Sequence, residues 1–291
     1  MRKSHAQLRD EITYAALVKE LRSDFEKIPD HRAANVVHKL PNILMSAYAI
    51  FAMKYPSLLS FEQQTSRELE NLKQLFGIDK LCSDVQMRRV LDQVAPNDLQ
   101  PLFARRFKRI KKTGLLGSYR FLKKYYLASC DGVHYFESGK VNCKRCVVKH
   151  HRNAAVSYNH SMLSVALVHP AQREVYPLAC EAIEKQDGQK KNDCELSAAK
   201  RLQDRLFQDY KGLPLLLVED ALYANEPHLE QVLANGWGFI TNVKPGSHKA
   251  LFKLFEARRA RNQINTLIID HGKIQHHFYW MNNVALRPCL E

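Results

Sequence analysis

Leu213-Pro214-Leu215-Leu216-Leu217-Val218-Glu219-Asp220 is an unbroken apolar run that closes on two acids. Continuous rather than alternating hydrophobicity belongs to a strand buried on both faces of a sheet. Its neighbours fit such a strand. Asn192 to Tyr210 precedes it as an amphipathic helix, with Leu196, Ala199, Leu202, Leu206 and Tyr210 along one face. Glu226 to Ala234 follows as a second helix, closed by Asn235-Gly236, and Trp237 to Val243 is a further strand stopped by Lys244-Pro245-Gly246. Helices alternating with strands predict an α/β fold.

Further towards the N-terminus, Tyr125 to Cys130 reads as a short strand ending at Asp131, and Ser161 to Val168 and Glu174 to Ile183 as the next two. After the central run come a basic helix and strands over Ile264 to Asp270 and Ile274 to Trp280. Before about residue 118 the texture is all-helical. Leu8, Ile12, Ala16, Leu21 and Phe25 recur at helical spacing up to Ile28-Pro29, where the residue before proline avoids the α region. A second helix is predicted from Val36 to Lys54, a third from the Ser83 cap through Val94, and a fourth after Pro101, with a hinge at Gly114 to Gly117. The expected organisation is a helical domain over 1–118 and an α/β domain over 119–291.

The chain has 291 residues, 45% of them hydrophobic and 25% charged, and 44 Lys and Arg against 30 Asp and Glu leave a net charge of +14. That surplus favours a polyanionic partner. Met1-Arg2-Lys3-Ser4-His5 leads into a polar helix, not a secretory signal, and the most apolar segment, Ile43 to Met53, is too short to span a bilayer. Seven cysteines, an odd number, suit reduced cytosolic thiols better than a disulfide framework. The expectation is a cytoplasmic protein with no membrane partner.

Asp131 and Asp220 stand at the ends of two central strands, where α/β sheets gather their working groups. Two aspartates held together repel unless a divalent cation sits between them, and Mg²⁺ or Mn²⁺ takes such oxygen ligands. Aspartate at a strand end also serves to cap turns. Glu219 rivals Asp220, but neighbours on a strand face opposite ways, so one alone reaches the site, and Asp220 is the choice.

Asp131-Gly132-Val133-His134-Tyr135-Phe136, Cys143-Lys144-Arg145-Cys146, Lys185-Gln186-Asp187-Gly188, Lys191-Asn192-Asp193-Cys194-Glu195, Glu219-Asp220-Ala221-Leu222-Tyr223-Ala224-Asn225 and Val243-Lys244-Pro245-Gly246 follow one another in an order that resembles insertion-sequence transposases of the DDE superfamily. Ile28-Pro29-Asp30-His31-Arg32 and Asp84-Val85-Gln86-Met87-Arg88 are similar to the same group. The resemblance implies a ribonuclease-H-like mixed sheet with flanking helices, in which Asp131 and Asp220 are the first two catalytic acids and hold Mg²⁺ or Mn²⁺. It implies a bacterial, nucleoid-associated enzyme that cleaves DNA at an element's terminal repeats and joins the ends to target DNA. A homo-oligomer on double-stranded DNA is the expected assembly.

Such transposases carry a third acid, a glutamate on a later helix. Here Pro288-Cys289-Leu290-Glu291 follow the last predicted strand, Glu256 comes too early and Asp270 ends a strand. The expectation is a truncated or split reading frame. Two alternatives stay open: a DNA-binding remnant that inhibits intact enzyme, and a nuclease of the same fold that cuts without joining.

Cys143-x-x-Cys146 with His150 and His151, and His160 beyond, has the residue types of a zinc site, though in closer spacing than a usual finger. Lys144, Arg145, Lys149 and Arg152 lie among them, so a basic loop against DNA is the competing reading. Arg105, Arg106, Lys108, Arg109, Lys111 and Lys112 form the densest basic run and the first candidate for phosphate contact, with a solvated helix surface as the alternative.

Overall fold

The computed structural model describes residues 3–33, 35–65, 67–184 and 194–286. The chain divides into two compact units, Met1–Ser118 and Tyr119–Glu291.

The first unit is helical: α1 (His5–Asp10), α2 (Tyr14–Phe25), α3 (Leu40–Ala52), α4 (Leu58–Thr65), α5 (Leu69–Phe76), α6 (Asp84–Leu91) and α7 (Pro96–Lys112). Three predicted boundaries move. The first expected helix is two, because the Thr13 side chain accepts the Ala16 N–H and starts α2 afresh. The second begins at Leu40, with Pro41 in its first turn, not at Val36. The fourth begins at Pro96 and carries Pro101 inside it, so the helix forgoes one backbone bond there instead of starting there. Ile43, Met45, Ile50, Phe61, Leu72, Phe76, Ile78 and Met87 close the core of this unit.

A 3₁₀ turn over Leu115–Tyr119 leads into the second unit: β1 (Arg120–Phe121), β2 (Tyr125–Ser138), β3 (Val147–His150), β4 (Val156–His169), β5 (Gln172–Ile183), α8 (Glu195–Asp209), β6 (Leu215–Glu219), α9 (Glu226–Ala234), β7 (Gly238–Thr241), α10 (Lys249–Ala260), β8 (Asn265–His271) and β9 (Ile274–Trp280). In the main sheet β5 pairs β4, β4 pairs β2, β2 pairs β6 and β6 pairs β7. The first two pairings are antiparallel and the last two parallel. A meander of three antiparallel strands, whose first strand is then flanked by two parallel ones reached through helices, is the ribonuclease-H-like arrangement. The sheet is mixed and helices flank it. β3 lies beside the start of β4, end to end with β5.

Leu163, Val165 and Leu167 of β4, Leu178 of β5, Leu215 and Leu217 of β6, Ala198, Ala199, Leu202 and Leu206 of α8 and Val232 of α9 form the core. Helix α8 packs on β5 and β4, and its end is pinned where Tyr210 Oη donates to the Leu178 carbonyl at 2.6 Å. After Trp237 no described residue is buried, and every residue of β8 and β9 is exposed.

Candidate active site and metal centre

β2 and β6 run parallel from Tyr126 opposite Leu215 to Ser129 opposite Val218. Two residues beyond that last pair stand Asp131 and Asp220, so the register brings both acids to the place where β6 ends beside β2. One expectation is corrected here. β2 does not end at Cys130: it continues through Asp131 to Ser138 as an antiparallel partner of β4, with a bulge between His134 and Phe136. Asp131 therefore marks where β6 stops accompanying β2, not where β2 stops.

Both aspartates are exposed. Asp131 Oδ1 accepts the Gly132 N–H and Asp220 Oδ1 the Leu222 N–H, each at 2.8 Å, which leaves Oδ2 of each without a partner among the described residues. Glu219 faces inward, 5% exposed, and binds His228 Nε2 at 2.9 and 3.0 Å, while Gln203 Nε2 lies 3.0 Å from Nδ1 of the same ring. Its carboxylate is occupied in the core.

A third carboxylate stands beside this edge. Glu195 opens α8, and a Cβ built on Gly132 would lie 3.0 Å from its Oε2. Tyr223 Oη, three residues after Asp220, donates to Glu195 Oε1 at 2.6 Å. Burial pushes the Tyr223 hydroxyl up first, and the bond to Glu195 adds to it. The Cys130 thiol is also raised, by burial before all and then by the charges of Glu219, Glu195 and Asp131. In the sequence Glu195 closes the Lys191-Asn192-Asp193-Cys194-Glu195 motif and does not stand among the expected acids of the site. Its signal was available, as a glutamate at the first residue of the helix between the two aspartate strands. Asp131, Asp220 and Glu195 offer the oxygen donors that a hard cation takes, but their carboxylates do not all lie within 4.8 Å of one another. The expected Lys185-Gln186-Asp187-Gly188 and Lys191-Asn192-Asp193 motif residues, and Pro288 to Glu291, lie outside the described residues.

Among the described residues, the group whose ligand atoms all lie within 4.8 Å of one another is Cys143, Cys146 and His160. This corrects the expected set, because His150 and His151 are not in it. The reason is register. β3 and β4 pair with Val147 opposite Asn159 and His150 opposite Val156, so the hairpin returns His160 to Cys146 and carries His150 to its far end. His151, just past that end, lies 2.8 Å from Ser157 Oγ through Nε2.

The basic candidates separate in the same way. Lys144, Arg145, Lys149 and Arg152 are exposed and form no ion pair with a described residue. In α7, Arg105 and Arg106 bind Asp24, which is 3% exposed, and Arg106 and Arg109 bind Glu20 at 2.7 and 2.6 Å. Lys108, Lys111 and Lys112 remain exposed, and the last two line a cleft with Lys3 and His5.

No family model matches the sequence. No curated protein matches it either. Among solved structures the chain is similar to one described as a piggyBac transposase synaptic complex with hairpin DNA, seen by cryo-EM, with a TM-score of 0.43 and 11% identity over 92% of this chain and 58% of that one. The chain thus spans under two thirds of that neighbour's length, and a likeness of this degree carries no weight for function. No helix among the described residues is long and apolar enough to cross a membrane.

Proposed function

We propose that this chain is a DNA transposase of the DDE type, with Asp131 and Asp220 as metal-holding acids and Glu195 beside them. The observation that carries the reading is the pair of exposed aspartates that the parallel register of β2 and β6 brings to the point where β6 ends, each with an oxygen left free. The ordered motifs from Asp131 to Gly246 and the ribonuclease-H-like strand order support it. A divalent cation bound there supplies Lewis-acid stabilisation to a departing phosphodiester oxygen. The chain's part is to fix that cation's place on a rigid sheet edge. The Gly132 and Leu222 amides hold the two aspartates, and Tyr223 holds Glu195. Double-stranded DNA is the substrate, terminal repeats and target alike, held along its phosphates by the exposed lysines and arginines in a homo-oligomeric assembly. Mg²⁺ or Mn²⁺ is the cofactor.

The test is plasmid nicking and strand joining by the purified chain in Mg²⁺ or Mn²⁺, alongside DNA binding. Nicks and joined products are expected, both lost in Asp131→Asn and in Asp220→Asn while binding persists. Cleavage that survives both changes overturns the assignment. Nicks without joined product would make the chain a nuclease, and salt-sensitive binding without any cleavage a DNA-binding remnant.

A further inference from the structure

The loop between β2 and β3 carries two cysteines for which the carboxylate edge gives no use. Cys146 is 2% exposed and Cys143 is exposed, and both are free thiols. Their sulfurs stand 3.8 Å apart, far beyond a disulfide bond of ~2.05 Å. His160 Nε2 lies 3.2 Å from Cys143 Sγ and 3.3 Å from Cys146 Sγ. A tetrahedral ion with Zn–S of ~2.3 Å and Zn–N of ~2.0 Å has edges of ~3.8 Å between sulfurs and ~3.5 Å between sulfur and nitrogen. The three atoms thus form one face of such a tetrahedron, slightly contracted. The surroundings suit a bound ion too. The Cys143 N–H donates to Cys146 Sγ at 3.3 Å, which fixes the direction of that sulfur. The His160 ring stacks on Tyr135 at 6.0 Å and lies 5.7 Å from Phe136, contacts that restrict its orientation.

We infer that Cys143, Cys146 and His160 bind a structural zinc ion that clips the loop 139–146 onto β4 and holds Lys144 and Arg145 outward as a rigid basic knuckle. Soft thiolates with one imidazole select zinc over the hard cations of the carboxylate edge. The two thiolates neutralise the ion, and their two protons leave for solvent on binding. Three protein ligands leave the fourth position of the tetrahedron to water. Lys144 and Arg145 are the two residues inside the Cys-x-x-Cys turn, and fixing the turn removes the entropy that ordering them on a phosphate backbone would otherwise cost.

The experiment is metal analysis of the full chain, purified under reducing conditions and reconstituted with zinc or cobalt. Equimolar zinc is expected, and the cobalt form should show sulfur-to-metal charge-transfer bands. Both should vanish in Cys146→Ser and His160→Ala, persist in His150→Ala and His151→Ala, and return in His160→Cys, which restores a ligand and guards against simple misfolding. Chelation should speed protease cleavage within 139–146 while the far-ultraviolet circular dichroism stays unchanged. No bound zinc, zinc retained without Cys146 or His160, or cleavage indifferent to chelation would each overturn the inference. Because the carboxylates are untouched by these changes, its failure leaves the phosphodiester reading standing, and the reverse holds for Asp131→Asn.

Discussion

A methyl group on Gly132 would sit 3.0 Å from Glu195 Oε2 and 3.1 Å from its Cδ. The glycine is therefore explained by close approach of a helix end to the strand rather than by backbone freedom. Gly132→Ala must push the carboxylate aside and lengthen its 2.6 Å bond from Tyr223. Because the obstructing atoms end a flexible, half-buried side chain, the expected loss is at the low end of overpacking, about 1 kcal/mol, to be read as a lower urea midpoint. Combining it with Glu195→Ala should return much of the loss, because the obstructing atoms go, and an unchanged midpoint in the single variant would sink the account. At the same scale Glu219 shows how parity separates two adjacent acids. Its place opposite Thr241 in the ladder turns it into the core to meet His228, while Asp220, one residue on, is left to solvent.

Helices α2 and α7 are clasped by charge. Asp24 is buried and receives Arg105, Arg106 and Lys27, and Glu20 receives Arg106 and Arg109. Replacing Asp24 by Asn strands guanidinium groups that are themselves 37% (Arg105) and 23% (Arg106) exposed. The expected loss is ~2–3 kcal/mol, below that of a fully buried pair because solvent screens the arginine side. Thermal unfolding of the first unit checks it, and a loss under half a kilocalorie would reduce the clasp to ordinary surface pairing. This clasp also explains what the sequence concealed. Six cations in eight residues read as a phosphate-binding stripe, yet three of them answer acids some eighty to ninety residues earlier, and periodicity holds no record of such partners. Elements with strong local patterns were legible: β6 from its apolar run, α9 from its Asn235-Gly236 end, and the β8–β9 pair almost to the residue. β3 was not, since Val147-Val148-Lys149-His150 is too short and too basic to stand out from a loop. Nor was the length of β2, because Asp131-Gly132 are poor strand formers, and β4 carries the strand past them. The zinc ligands divide on the same line: the Cys-x-x-Cys turn is local and visible, whereas His160 rather than His150 follows from a hairpin register that no spacing rule supplies.

For the molecule as a whole, a charge of +14 sets how binding to DNA responds to salt. Each phosphate neutralised contributes about 0.9 to the slope of log affinity against log salt. Lys144→Gln with Arg145→Gln should therefore flatten that slope by about 2, whereas the same change at Arg105 and Arg106, already satisfied within the unit, should leave it nearly as it was. A slope insensitive to the first pair would remove the β2–β3 loop from the DNA contact.

The β8–β9 hairpin has a different consequence. With Leu267, Ile269, Ile274, Phe278 and Trp280 all well exposed, its folding transfers little apolar surface out of water. The rise in heat capacity on unfolding is a measure of that transfer, so a calorimeter would register the main sheet and its helices while recording almost nothing for these last strands. Their cross-strand hydrogen bonds, unsupported by a core, would exchange their amide protons for deuterium long before those of β2, β4 and β6.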